Sequence, residues 1–125
     1  MAAVAKFESV IFDHSRPGVK LSQVFEKAHL AYKEAGFQTE TANQHFGGIT
    51  GYNAREAFAR PAQDAQPDWE LKEGMSLAWN PTLPGSKIED TVLVTRDGLE
   101  VLTVDPQWPK IEVGKRVRPD VWVKA

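Results

Sequence analysis

Cysteine is absent from the 125 residues. That excludes disulfides, thiolate nucleophiles and Cys-ligated zinc. It also fits a reducing compartment, and a cytoplasmic location is expected. A surplus of positive charge is missing too. Fifteen Lys and Arg against seventeen Asp and Glu give a net charge of −2, which argues against the basic face that a nucleic-acid partner requires. The one local basic cluster, Lys115, Arg116 and Arg118, reads as a solvated tail. No apolar run approaches the ~20 residues of a membrane span, so no membrane partner is expected. Glu8 interrupts the apolar part of the opening stretch MAAVAKFESVIFDH, which makes it a poor signal peptide. No internal repeat is present. The glycines at 47, 48 and 51 are not followed by Lys-Ser/Thr, so they form no phosphate loop, and Pro81 disqualifies Asn80-Pro81-Thr82 as a glycosylation acceptor.

What is there suits a single domain, residues 1–125. A chain of this length buries roughly two-thirds of the surface its unfolded form exposes, enough for a core without staples. Ala2 to Asp13 carries Val4, Phe7, Val10 and Ile11 on one helical face and predicts a short helix, broken by Pro17 and Gly18. The next segment, LSQVFEKAHLAYKEAG, is the clearest in the chain. Ser22 is the candidate N-cap, Ala28, Ala31 and Tyr32 keep helical spacing, and Gly36 supplies the stop. From Phe37 onward Gly, Thr, Asn and Pro punctuate short apolar runs. MSLAWNP reads as a strand ending at Pro81. KIEDTVLVT and RDGLEVLT read as a hairpin turning on Asp97-Gly98. PQWPKIEV and RPDVWVKA are weaker extended segments, and Pro119 pushes the last towards an edge. Arg60 to Asp68 is a polar loop. Two helices followed by an antiparallel sheet make an α+β layout.

Four stretches together resemble the creatinase/Xaa-Pro aminopeptidase family of metallopeptidases, the pita-bread fold. Lys87 to Thr103 is similar to that family's C-terminal hairpin. Leu71 to Pro81 is similar to the strand before it. Arg16 to Phe37 is similar to its helix pair, and HFGGITGYNARE falls where the family has a Gly-rich, His-bearing strand. The resemblance runs over roughly residues 5–109 and covers only the C-terminal half of the pita-bread domain. It implies two N-terminal helices packed on a curved antiparallel sheet, and hydrolysis of an Xaa-Pro type bond with a pair of divalent ions (Mn, Co or Zn).

The ligands implied by the resemblance are largely replaced. Its two metal-binding Asp lie in the half without a counterpart here. Its ligand His falls on Gly48 and its first ligand Glu on Asn80, and only the last survives, as Glu89. A second His, used to hold substrate, falls on Arg55. A branch with His-x-Gly-Gly-x-x-Gly-Tyr and Trp-Asn-Pro is resembled closely, and there the metal centre is rebuilt or lost. A two-metal site needs several carboxylates and a His to lower a bound water's pKa to about 7. One Glu and one Asn cannot form it. A weak single ion on Glu89, Asp90 and waters is conceivable.

Candidate residues follow. His45 and Glu89 are the catalytic candidates, and Glu89 is the sole metal-ligand candidate. Tyr52, Arg55, Glu56 and Asn80 are candidates for holding a peptide or small-molecule ligand. Each has a plainer reading. His45 is a polar strand residue with a partner, Arg55 and Glu56 form a salt bridge, Asn80 caps a strand end, and the glycines mark a bulge or tight bend. Glu89, if it faces inward, must be paired or protonated. Trp69, Trp79, Trp108 and Trp122 read as core or interface anchors. Two functions stay open: a peptidase-family protein acting with a second half, or a non-catalytic binding or assembly module. A lone half exposes its seam, with Phe46, Ile49, Tyr52, Leu77 and Trp79 on it. A homodimer, or pairing with a separate N-terminal half, is therefore expected.

Overall fold

The computed structural model describes residues 2–65 and 67–121. Trp122 and the end of the last extended segment lie outside them. Helix α1 spans Ala2–His14, and α2 spans Leu21–Glu34. Val4, Phe7 and Ile11, with Ala5 and Phe12 beside them, give α1 a wide buried face. Glu8 lies on that same face and is also fully buried.

Helix α2 begins at Lys20, whose N–H donates to Gln23 Oε1 at 2.9 Å. Ser22 is not the cap. It sits inside the first turn, where its N–H and Oγ both donate to Asp68, at 3.1 and 2.5 Å. The reason is tertiary. Gly18 and Val19 exchange backbone hydrogen bonds with Leu71, which brings the polar loop to the helix mouth and places a carboxylate on the exposed N–H groups. Gly36 ends the helix as expected, with φ of 86°. Its N–H reaches Lys33 O and that of Phe37 reaches Tyr32 O, a Schellman stop. A short third helix, α3 at Glu40–Asn43, follows.

The sheet contains β1 (Gly47–Thr50), β2 (Ala57–Phe58), β3 (Ser76–Trp79), β6 (Asp90–Thr95) and β7 (Gly98–Val101). All pairings are antiparallel, in the order β2-β1-β3-β6-β7. Between β3 and β6 runs a small hairpin, β4 (Thr82–Leu83) and β5 (Ser86–Lys87). A last hairpin, β8 (Lys110–Val113) and β9 (Arg116–Pro119), follows the sheet. The β6–β7 turn is Arg96-Asp97, not Asp97-Gly98, because Gly98 already pairs with Thr95. Gly98 has φ of 147°, so it serves as the first strand residue.

Ile49, Leu77, Trp79, Val92 and Val94 face the helices and pack with Ile11, Leu21, Val24 and Ala28. The α+β layout of helices on one sheet face is the one found. The seam expected at Phe46, Ile49, Leu77 and Trp79 is not open surface. All four are buried, Trp79 and Leu77 completely, inside this chain's own core. Strand alternation turns them towards the helices rather than outward. Only Tyr52 of that group is exposed, and it lies in a bend rather than a strand.

The basic segment near the C-terminus is not a solvated tail. Arg118 is buried, and its Nε donates to Glu8 Oε2 at 3.1 Å. Arg116 Nη2 donates to the same oxygen at 2.7 Å. Arg118 Nη2 reaches Asp90 Oδ2 at 3.3 Å. The alternation of β9 turns both guanidiniums to one side, where α1 presents Glu8. Trp79 is the core anchor expected of it, whereas Trp69 and Trp108 stay partly exposed. The Trp108 indole donates to Asp120 O at 2.8 Å.

Candidate functional site

The sheet face opposite the helices is built from small residues. Gly48 pairs with Phe58 on one side and Ala78 on the other. Ala78 in turn pairs with Thr91. Gly48 has no room for a side chain. A Cβ there would stand 1.9 Å from Ala57 O, and one on Gly47 would stand 2.0 Å from Ala78 O. Gly47 and Gly48 thus mark neither a bulge nor a tight bend but a close approach of neighbouring strands.

His45, Asn80 and Glu89 all project to this face. Each adjoins a residue that faces the other way: Phe46, Trp79 and Asp90 are buried. Trp79 pairs with Asp90, so Asn80 and Glu89 continue that register one step past the strand ends. Arg55, from the β1–β2 connection, joins them. Its Nη2 donates to Glu89 Oε1 at 3.1 Å and to Asn80 Oδ1 at 3.3 Å, and its Nη1 donates to Ala54 O at 2.8 Å. The Arg55 side chain is 13% exposed, and its Nε has no acceptor among the described residues. Lys87 Nζ lies 3.7 Å from Glu89 Oε2. With Asn53 and Phe58, these residues line an open cavity of about 590 Å³. Lys87, Asn53 and Phe58 were not legible as site residues, because only the β4–β5 hairpin and the β1–β2 connection bring them there.

Glu89 does not sit within a strand or face inward. It lies between β5 and β6 with its side chain 47% exposed. The buried carboxylates are its neighbour Asp90, and Glu8. Asp90 points to the opposite side, where Thr103 Oγ1 and Arg118 donate to it. With Glu89 on Arg55 and Lys87 and Asp90 on Thr103 and Arg118, the two carboxylates cannot share one ion. Arg55 and Glu56 form no salt bridge either. Glu56 accepts instead from Asn53 N–H at 2.8 Å and Asn53 Nδ2 at 3.2 Å, which holds its carboxyl below the usual range. Tyr52 is fully exposed and does not line the cavity.

His45 packs on the Phe58 ring, centroids 4.6 Å apart. Its imidazole pKa is lowered, first by desolvation and then by the nearby charges of Arg55 and Lys87, with Glu89 opposing. Although the residue is solvent-accessible, one ring face is covered, which is why desolvation leads. The ring is neutral at pH 7. A larger cavity, about 860 Å³, lies between α2, α3 and the loop carrying Arg60 and Asp64. It shares only His45 with the first, and the contacts of Arg55 with Asn80 and Glu89 belong to the smaller one.

The buried cluster behind the sheet is a second concentration of charge. Glu8 has its pKa raised to about 7, by burial first and by the adjacent Asp90 carboxylate next, with Arg116 and Arg118 opposing. Its Oε2 takes both arginines, while Oε1 is buried with no donor among the described residues facing it. Beside Asp90, that oxygen is satisfied only when it carries a proton and donates it.

The metal implied by the resemblance does not fit these residues. Gly48 admits no ligand, Asn80 Oδ1 is held by Arg55, and both Glu89 oxygens face cations. Among the described residues no group of three or more His, Cys, Asp or Glu could hold an ion.

Helices on one face of an antiparallel sheet and a polar site on the other define a half pita-bread unit. The family model for metallopeptidase family M24 matches residues 1–96, and the chain belongs to that family. A dipeptidase, PepE, from Mycobacterium ulcerans is similar at 26% identity and TM-score 0.68, over 83% of this chain and 28% of its own. A dipeptidase from Pyrococcus horikoshii OT3 is similar at 25% identity and TM-score 0.67, over 82% and 29%. A prolidase from Pyrococcus furiosus shares the fold at TM-score 0.69 and 23% identity, over 84% and 32%. The chain therefore spans under a third of the length of each. A comparison with curated protein sequences yields no match. No helix among the described residues is long and apolar enough to cross a membrane.

Proposed function

We propose that the outer sheet face of this chain is a ligand-binding site on an M24 scaffold, and that its residues do not assemble a two-metal peptidase centre. One observation carries this. The Arg55 guanidinium lies between Asn80 Oδ1 and Glu89 Oε1, at 3.3 and 3.1 Å. A fixed cation thus stands where two of the ligand positions meet, and a second cation there would face repulsion instead of donors. His45 and Glu89 are binding-site residues in this reading, with Arg55 and Asn80 beside them; Tyr52 and Glu56 stand outside the cavity. The whole chain, residues 1–125, acts as one domain, and a cytoplasmic setting fits its lack of cysteine.

A second reading is favoured by family membership and by the survival of Glu89. Here the chain is one half of an Xaa-Pro peptidase, and a divalent ion (Mn, Co or Zn) is held mostly by a partner's ligands. The chain's short span of its relatives is compatible with pairing, either with a second copy or with a separate N-terminal half. The buried Phe46, Ile49, Leu77 and Trp79 no longer argue for it. Proline release from an Xaa-Pro dipeptide by the purified chain, assayed with Mn²⁺, Co²⁺ and Zn²⁺, separates the readings. No turnover above buffer is expected. Turnover that Glu89→Gln abolishes would reverse the assignment.

A further inference from the structure

We propose that the outer-face cavity recognises a carboxylate, taken as a monoanion between Lys87, the Asn80 amide and the His45 ring. The inference rests on the reading of this face as a binding site and names its ligand class. It starts from an imbalance of donors and acceptors. Both Glu89 oxygens already face cations, and Asn80 Oδ1 accepts from Arg55. Arg55 thus takes one Glu89 oxygen and the Asn80 oxygen. Donors are left over. With its oxygen held by Arg55, Asn80 has its amide Nδ2–H₂ left over in the cavity it lines, and no acceptor among the described residues meets it. Asn80 is only 6% exposed, so its orientation is fixed. Lys87 is held loosely, at 3.7 Å, with a side chain 53% exposed, and can turn to a ligand while Arg55 keeps Glu89 neutralised.

Charge points the same way. Arg55 and Lys87 against Glu89 leave one net positive charge, since His45 is uncharged at pH 7. A monoanion brings the cavity to neutrality, whereas a phosphate dianion would overshoot it. Neutral imidazole offers an N–H to the anion without adding charge. The Phe58 ring, which already carries His45, gives an apolar wall for the ligand's body. Recognition of a planar oxyanion by several fixed donors is the arrangement in which charge-assisted hydrogen bonds are strongest.

The test is an amide and side-chain NMR titration of the purified chain in EDTA at pH 7. Three probes are used: N-acetylglycine, its neutral analogue N-acetylglycinamide, and inorganic phosphate. N-acetylglycine is expected to give saturable shifts at the Asn80 side-chain amide, the Arg55 Nε–H and His45, with a dissociation constant in the millimolar range. Lys87→Met, at an exposed side chain, should weaken that binding about tenfold or more while leaving the rest of the spectrum in place. N-acetylglycinamide should bind at least tenfold more weakly than the acid. Equal binding of the amide would overturn carboxylate recognition and leave the face standing as a binding site. Tighter binding of phosphate would also overturn it, in favour of a different anion. No saturable shift with any probe up to high millimolar concentration would remove both the inference and the reading it rests on.

Discussion

Glu8→Gln replaces a carboxyl that α1 buries completely with a neutral group of the same shape. The pKa of Glu8 rises from 4.5 to about 7 in the folded chain, so the native state holds this proton more tightly than the unfolded one. Below pH 4.5 both states are protonated and the group costs nothing. Between 4.5 and about 7 the unfolded chain releases the proton while the native chain keeps it, and stability falls as pH rises. Above about 7 the full cost is reached, on the order of 3 kcal/mol. Gln keeps an oxygen for Arg116 and Arg118 and offers an N–H to Asp90. The variant should therefore match the wild type near pH 4 and exceed it by up to about 3 kcal/mol near pH 8. Urea unfolding followed by tryptophan fluorescence, across that range, measures the difference. A variant that is less stable than wild type, with the deficit growing as pH rises, would refute the reasoning. That pattern would mean Glu8 is ionised in the fold and paired with the two arginines, since breaking such a pair costs about 3–5 kcal/mol.

Other consequences are as direct. Gly48→Ala should destabilise by about 2–3 kcal/mol, because a Cβ 1.9 Å from Ala57 O forces β2 away; Gly48→His should unfold the chain at lower temperature still and restore no metal binding, as read by calorimetric melting with and without Mn²⁺. Asp68→Ala removes the carboxylate on the first turn of α2 and should cost about 1–2 kcal/mol in denaturant melts. Arg55→Met takes a repelling charge from beside His45; the imidazole pKa should rise towards its ordinary value in an NMR titration, and an unchanged or lower value would contradict the site's electrostatics.

Much of the scaffold was legible because it is written in local pattern. Helix α2 combined helical spacing, good helix formers and Gly36. The strict alternation of Asp90, Val92 and Val94 gave β6 its buried face. What escaped depends on partners far along the chain. Asp68 caps α2 from 46 residues away, so a nearby Ser22 looked like the cap. Arg116 and Arg118 read as a tail because their acceptor, Glu8, is more than a hundred residues away. In the sequence Glu8 only interrupts an apolar stretch; that it is buried and meets two arginines depends on β9, far along the chain. Gly48 was legible as a missing ligand, but not as a position where neighbouring strands leave no space. That Asn80 and Glu89 share a face with His45 follows from the family resemblance rather than from periodicity, and Arg55 between them was legible in neither. The exposed apolar seam failed because the resemblance said nothing about which sheet face Phe46, Ile49, Leu77 and Trp79 occupy.

In the proposed reading, Arg55 stands in the metal's place on this face. Isothermal titration of the purified chain with Mn²⁺, Co²⁺ and Zn²⁺, repeated on Arg55→Met, tests it most directly. No shared two-ion site is expected in either protein, and no ion bound at micromolar affinity by the wild type. Two ions per chain at micromolar affinity, bound by the wild type and lost with Glu89→Gln, would contradict it.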